Sequence, residues 1–417
     1  MKHIKAEVIT IGDEILYGQI TDTNTQWISA ELDKLGIKIS RKSSVGDSEE
    51  AITNEITQSL NYADLIILTG GLGPTKDDIT KKTLANIFDD TLEIHPLALE
   101  TVTSFFKIRG RELTELNRQQ ALLPKNATYL HNAMGTAPGM WFEYKGKVVV
   151  SLPGVPFEMK YLMEAEVLPR VKAFFQTPVI THKSLRTVGI GESDLADLIS
   201  DWEDALPPHI RLAYLPNLMQ VKLRLSGVGS DAAVLAKEID AQIALVMPLI
   251  GKYVYSTTDQ ELEEAVAELL IKHNATVGTA ESCTGGYLAH TFTMYPGSSA
   301  YYLGGVVSYA NDVKMDVLHV SKETLEQYGA VSEQTAREMA EGARKELKTT
   351  FALSTTGIAG PGGGTDEKPV GTVWIACAGP NGTVAKKILT TKSRNINIQY
   401  STKAALNMLR LIILNEI

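Results

Sequence analysis

The chain has two cysteines, Cys283 and Cys377, in 417 residues. That is too few for a disulfide framework, and their spacing rules out a CxxC zinc knuckle. No run of about 18 apolar residues occurs, so no membrane-spanning helix is expected. Positive charge is in deficit: 40 Lys and Arg against 49 Asp and Glu give a net charge of -9. Such a chain is a poor candidate for non-specific binding to nucleic acid or to a membrane surface. The opening MKHIKAEVITIGDEI lacks the apolar stretch of a signal peptide. Fixed-period repeats and low-complexity segments are missing as well. These absences predict a soluble cytoplasmic protein. What is present, 44% hydrophobic and 21% charged residues, is ordinary for a globular chain. At about 100–200 residues per domain the length suggests two to four domains.

Three textures follow one another. Residues 1–175 alternate strand and helix. KAEVITIG (5–12) reads as a buried strand, and Trp27, Ile28, Leu32 and Leu35 share one helical face before Gly36. IKISRKSSVG is a second strand. Ser48 and two glutamates open a second helix. ADLIILTGG (63–71) is a continuous apolar strand of the parallel-sheet kind. This order predicts a doubly wound α/β sheet with ligands at the carboxyl ends of its strands. Residues 176–256 read as a small α+β module, in which Val221, Leu223 and Leu225 alternate with Lys222 and Arg224. Residues 257–417 return to α/β texture, with a strand expected to end at Tyr309 and a long closing helix from 397.

Four elements of the last region carry chemistry. In ATVGTAESCTGGYLAHTF a strand, a tight turn and a helix present Ser282 and Cys283, both nucleophiles by type. Free N–H groups of the next helix could stabilise an oxyanion, and Gly285 and Gly286 would let a substrate approach the backbone. Spacing alone leaves a second reading open, a plain turn with Ser and Thr capping the helix. In VVSYANDVKMDVL, Tyr309 and Lys314 point into one cleft if a helix starts near 311; Lys314 is otherwise a surface lysine. The eight histidines are scattered, and no Ser-His-Asp order stands out. A lysine of lowered pKa can then serve as base for a serine. TTGIAGPGGGTDEKPVG (355–371) is either a phosphate cradle of bare N–H groups or a flexible hairpin loop. It lacks the Walker A pattern. Arg394, between a strand and a helix, suits a phosphate.

In the first region LTGGLGPTKDDIT (68–80) sits at the end of the third strand. Gly70, Gly71 and Gly73 favour close approach of an anion. Asp77 and Asp78 offer hard oxygen ligands for Mg²⁺ or a similar cation, although Asp78 could equally cap a helix. The loops after the first two strands, which carry Glu14 and Asp47, converge on the same edge. So do NAMGTAPGM, with Asn132, and LPGVPFEM, with Gly154.

AESCTGG, VVSYANDVK, GAVSE (329–333) and TGIAGPGGGTDEKPVGTVW, in that order, resemble the C-terminal domain of the competence-damage-inducible CinA family. That domain is similar to bacterial nicotinamide-mononucleotide amidohydrolases. The resemblance implies Ser282 as nucleophile with Tyr309 and Lys314 beside it. It implies a substrate lined by Thr284, Gly285 and Gly286, and a phosphate held by Gly357, Gly360, Gly362, Gly363 and Arg394. Ala310 and Ser393 depart from the family pattern, which has serine and aspartate there. An unactivated carboxamide needs an alkoxide-type nucleophile, and Cys283 has no evident cationic or histidine partner to make a thiolate. Cys283 is therefore read as a packing residue.

The first region resembles the molybdopterin-binding fold, with GGLGPTKDD as its principal ligand loop. There the resemblance implies metal-dependent cleavage of ADP-ribose, with Gly70, Gly71, Gly73, Thr75, Asn132 and Gly154 around the ligand. Asp47, Asp77 and Asp78 would hold the divalent cation, and Glu14, Asp47 and Asp77 are the candidate bases. No cofactor is implied for the C-terminal domain. The middle module resembles a KH-like linker domain. Its VGIGES is not a GxxG loop, which argues against RNA binding. A homodimer that binds small nucleotides is expected. The competing reading is a nucleotide- or molybdopterin-binding regulator of competence or DNA repair, whose sites bind without turnover. A third, a molybdenum-cofactor biosynthesis enzyme, would explain the first region alone.

Overall fold

The computed structural model describes residues 4–75, 78–175 and 177–416. They gather into two compact units, Met1–Thr181 with Gly227–Leu235 and His182–Ser226 with Ala236–Ile417. Most of the region expected as a middle module thus groups with the last region.

The sheet of the first unit contains β1 (Lys5–Ile11), β2 (Lys38–Val45) and β3 (Leu65–Thr69). A separate ribbon pairs β4 (Leu92–Ile94) with β5 (Leu122–Pro124), and the sheet resumes with β6 (Thr128–Leu130), β7 (Gly139–Tyr144) and β8 (Lys147–Leu152). The strand order is β2-β1-β3-β8-β7-β6. The first four strands are parallel and the last two antiparallel. Period-2 alternation sends Ala6 and Val8 to one core, with Ile28, Leu32, Met159 and Leu162. It sends Ile9 and Ile11 to the other, with Ile52, Ile56 and Leu84. Both faces are covered, which is why β3 and β8 read as unbroken apolar runs. Helix Thr23–Lys34, capped by Asp22, crosses one face from β1 to β2, and helix Glu49–Tyr62, capped by Ser48, crosses the other from β2 to β3. The chain therefore reverses direction across the sheet at β1, and a crevice opens there at the carboxyl ends. Gly70 bridges that crevice at φ 120, where a Cβ would run into the Ile11 carbonyl.

The second unit holds most of one sheet and the whole of another. One contains β9 (Val179–Val188), β10 (Ile210–Asn217), β11 (Gln220–Gly229) and β12 (Val254–Ser256) in the order β10-β11-β9-β12. The other contains β13 (Val277–Glu281), β14 (Tyr302–Val307), β15 (Phe351–Gly357), β16 (Thr372–Gly379) and β17 (Gly382–Leu389) in the order β14-β13-β15-β16-β17. Its first three strands are parallel and the other two antiparallel. Helix Glu333–Leu347 packs Met339 and Ala343 on one face. Helices Leu262–Lys272 and Arg394–Ile413 pack Leu270, Leu406 and Leu409 on the other. Two boundaries differ from expectation. The strand expected to reach Tyr309 ends at Val307, and the closing helix starts at Arg394. At the far end of that helix Arg410 is buried and donates to the carbonyls of Lys252 (2.7 Å) and Val254 (3.3 Å). Among the described residues no helix is long and apolar enough to cross a membrane.

Candidate active sites

Ser282 follows the last residue of β13, at the carboxyl edge of the parallel strands. Its N–H donates to the Thr355 carbonyl across the β13–β15 pair (2.8 Å). Helix Asn311–Leu318 begins where the sequence predicts and turns Lys314 back toward β13. Lys314 is not a surface lysine: it is 1% exposed. Its Nζ lies 3.2 Å from Ser282 Oγ, 2.7 Å from the Ser308 carbonyl and 3.4 Å from the Tyr309 carbonyl. None of these partners is a carboxylate. Burial holds the amine below the ordinary lysine value, because a desolvated ammonium lacks a compensating charge.

Cys283 is buried, and that burial pushes its thiol up to about 12. The neighbouring Glu281 carboxylate acts in the same direction. The thiolate needed for nucleophilic chemistry is therefore disfavoured.

The side chain of Thr284 is turned into the protein. Its buried hydroxyl donates to Glu281 (2.6 Å) and lies 2.6 Å from that of Thr355. Helix Tyr287–Thr293 is not capped by Ser or Thr either. The N–H groups of Gly286, Leu288 and Ala289 all go to Glu281, so they are not available to an oxyanion as the sequence reading had them. Gly285 is exposed and Gly286 half-buried in the turn, both at positive φ.

Tyr309 is 64% exposed, and its hydroxyl receives a hydrogen bond from Arg394 Nη2 (3.3 Å). It touches Lys314 only through its carbonyl. Arg394 also donates to the Gly360 carbonyl (2.9 Å), which ties the Gly-rich loop to the start of the closing helix. Gly357 lies inside the β15–β16 pairing, where a Cβ would strike the Thr372 carbonyl, so it is a packing glycine. Gly362 and Gly363 are exposed, and their N–H groups carry no hydrogen bond among the described residues. Asn397 escaped the sequence reading. Buried at the first turn of the helix, it donates to the Ala359 and Thr391 carbonyls and accepts from Thr390 and Thr391. Ala310 and Ser393, the two departures from the family pattern, are both helix N-caps without a side-chain hydrogen bond.

In the first unit the strand ends enclose a cleft of about 550 Å³ lined by Gly70, Gly71, Gly73, Gly154, Glu14, Asp47, Asp78 and Glu158. Asn24 pins two of its loops by donating to Thr69 (3.1 Å) and to the Gly154 carbonyl (2.7 Å). The expected metal ligands are otherwise engaged. Asp78 accepts from the N–H groups of Gly73 and Thr75 (2.8 Å each) and from the Thr75 hydroxyl, so it folds the loop. Asp47 accepts from the Asp13 N–H (3.0 Å). Asp77 lies outside the described residues. Among those described, no group of three His, Cys, Asp or Glu could hold a metal ion. The described residues do not by themselves assemble a cation site.

Asn132 is buried, and its amide is spent on its own loop and on Glu158. It shapes the cleft without facing it. Glu158 was not singled out from sequence. It lines the cleft and accepts from Asn132 Nδ2 (2.6 Å), and burial raises its carboxyl above the ordinary value.

A CinA-like protein of Cytophaga hutchinsonii is 52% identical over 408 residues, covering 98% of each chain. Those of Flavobacterium psychrophilum and Chloroherpeton thalassium are 45% and 44% identical over 97% of this chain and 98% of theirs. The chain belongs to the CinA family. Within it, residues 259–413 match the CinA C-terminal domain, 182–256 the damage-inducible protein CinA KH domain, and 7–173 the probable molybdopterin binding domain. The serine–lysine pair thus lies in the CinA C-terminal domain and the carboxylate-lined cleft in the molybdopterin-binding-like one. A crystal structure of the competence/damage inducible protein CihA from Agrobacterium tumefaciens is 43% identical over 37% of this chain and 97% of its own, with a TM-score of 0.35.

Proposed function

We propose that the C-terminal site hydrolyses the carboxamide of nicotinamide mononucleotide to nicotinate mononucleotide and ammonia. The observation that carries this reading is the buried Lys314 amine beside Ser282 with no acid to hold its proton. A neutral amine keeps two N–H groups for the Ser308 and Tyr309 carbonyls and aims its lone pair at the Ser282 hydroxyl. Lys314 takes the hydroxyl proton as Ser282 Oγ bonds to the amide carbon. It returns that proton to the nitrogen as the C–N bond breaks and ammonia leaves. Water then attacks the acyl-enzyme and passes its proton to Lys314. Lys314 restores the serine hydroxyl as the ester bond breaks, and nicotinate mononucleotide departs.

The phosphate is assigned to Arg394, the N-terminus of its 20-residue helix and the bare N–H groups of Gly362 and Gly363. Release of ammonia from nicotinamide mononucleotide by the purified protein tests the reading, and its absence overturns it. Nicotinamide mononucleotide is expected to exceed nicotinamide riboside in kcat/KM. Each charge-assisted bond to the phosphate contributes about 1.5–3 kcal/mol. Arg394→Ala is expected to remove most of that preference. Equal kcat/KM for the two substrates would remove the phosphate assignment.

For the N-terminal cleft the proposal is hydrolysis of the diphosphate of ADP-ribose. Glu158, which lines the cleft and whose carboxyl is raised by burial, is the proposed acceptor of the water's proton. A cleft lined by four described carboxylates repels a bare diphosphate, so the divalent cation is expected to arrive with the substrate's phosphates. Excess EDTA should then abolish formation of AMP and ribose 5-phosphate while leaving ammonia release untouched. Full turnover of ADP-ribose in chelator would refute the cation requirement.

A further inference from the structure

We propose that Glu281 is the positioning residue of the serine site: its buried carboxylate holds the turn that follows Ser282 so that the N–H groups of Cys283 and Thr284 are left to receive the oxyanion. The inference rests on the reading of Ser282 as nucleophile.

Glu281 is the last residue of β13 and is fully buried. Its main chain is fixed by β-pairing to β14 and β15, and its carbonyl accepts from the Ser308 N–H (2.8 Å). From that anchored point the side chain reaches forward over the turn. Oε2 accepts from the Thr284 hydroxyl (2.6 Å) and the N–H groups of Gly286 and Leu288 (3.0 Å each), and Oε1 from the Ala289 N–H (2.7 Å). A carboxylate has about four lone-pair positions and no proton of its own, which suits four donors. An amide in its place would turn an NH₂ group toward N–H groups.

The remaining N–H groups can be followed one by one. That of Ser282 goes to the Thr355 carbonyl, Gly285 to Ser282 and Tyr287 to Thr284. Those of Gly286, Leu288 and Ala289 go to Glu281. Between residues 282 and 289 only the N–H groups of Cys283 and Thr284 make no hydrogen bond to another described residue. They follow the nucleophile directly, and two fixed donors beside the attacking oxygen are what a developing oxyanion requires. Glu281 touches neither Ser282 Oγ nor Lys314 Nζ, so its effect passes through the geometry of the turn.

The test uses the full chain with nicotinamide mononucleotide. Glu281→Gln is expected to lower kcat about 10²–10³-fold, with KM within about twofold of the parent. The pH midpoint of kcat should stay in place, since the carboxylate does not contact Lys314. A parent-like kcat overturns the proposal, provided that Ser282→Ala is inactive. A rise in KM alone overturns it in favour of general loosening. A displaced pH midpoint overturns it in favour of a charge effect on Lys314. An active Ser282→Ala would instead remove the underlying nucleophile reading. Should Glu281→Gln fail to fold, Thr284→Val decides. It removes one of the four donors, keeps the three main-chain bonds, and is expected to lower kcat about tenfold at unchanged KM. Unchanged kcat in that variant overturns the proposal.

Discussion

Ser282→Ala is expected to lower the rate of ammonia release by roughly 10⁵–10⁶-fold, because nucleophile and base act as one unit. Cys283→Ala is expected to keep most of the rate. The two side chains are neighbours in sequence but differ in surroundings. Ser282 is partly exposed at the strand end with the Lys314 amine 3.2 Å away. Cys283 is packed in the core with its thiol pushed up to about 12, so almost no thiolate forms near neutrality. Steady-state rates of the two variants check this. A dead Cys283→Ala beside a working Ser282→Ala would reverse the assignment.

Lys314→Arg is expected to be as inactive as Lys314→Met, since a guanidinium cannot release its proton to become the base. The sign of the pH dependence follows from burial. Burial lowers the lysine pKa, so below that lowered value the amine carries a proton and cannot accept another. Activity should therefore rise with pH, with a midpoint below the ordinary 10.5. The same shift acts on stability. Between the lowered value and 10.5 the unfolded chain holds a proton that the folded chain has lost, so this group makes stability rise with pH across that window. Lys314→Met should remove that slope as well as the activity. Kinetics and urea unfolding across the window measure both. Near-normal turnover in Lys314→Arg would reduce the lysine to a fixed charge.

Local signals carried much of the architecture. Apolar runs, period-2 alternation and capping residues such as Ser48 mark β1, β3 and the helices between them. The five-residue step from Tyr309 to Lys314 anticipates a strand end and a helix start, and with them the meeting of Lys314 and Ser282. What sequence could not supply was the partner of each buried polar group. Glu281 looks like the end of a strand, and nothing local says that N–H groups five to eight residues later will converge on it. Asn397 reaches Ala359 and Glu158 meets Asn132, partners that lie in loops distant in the chain. Asp78 shows the converse ambiguity. A carboxylate after a Gly-rich stretch suits a cation, but it suits the loop's own N–H groups equally well, and Gly73 and Thr75 take it.

The closing helix is fastened at both ends, by Arg410 to the carbonyls of Lys252 and Val254 and by Asn397 to Ala359 and Thr391. Its 20 residues make a rod about 30 Å long, with Arg394 at its tip. Such a rod works as a lever without slack. A tilt of about 2° at the Arg410 end becomes a displacement of about 1 Å at the Arg394 end, a distance that can cost on the order of 100-fold in rate when it misplaces a substrate. Arg410 therefore ties the KH-like module to the end of the rod opposite Arg394, the arginine proposed to hold the phosphate.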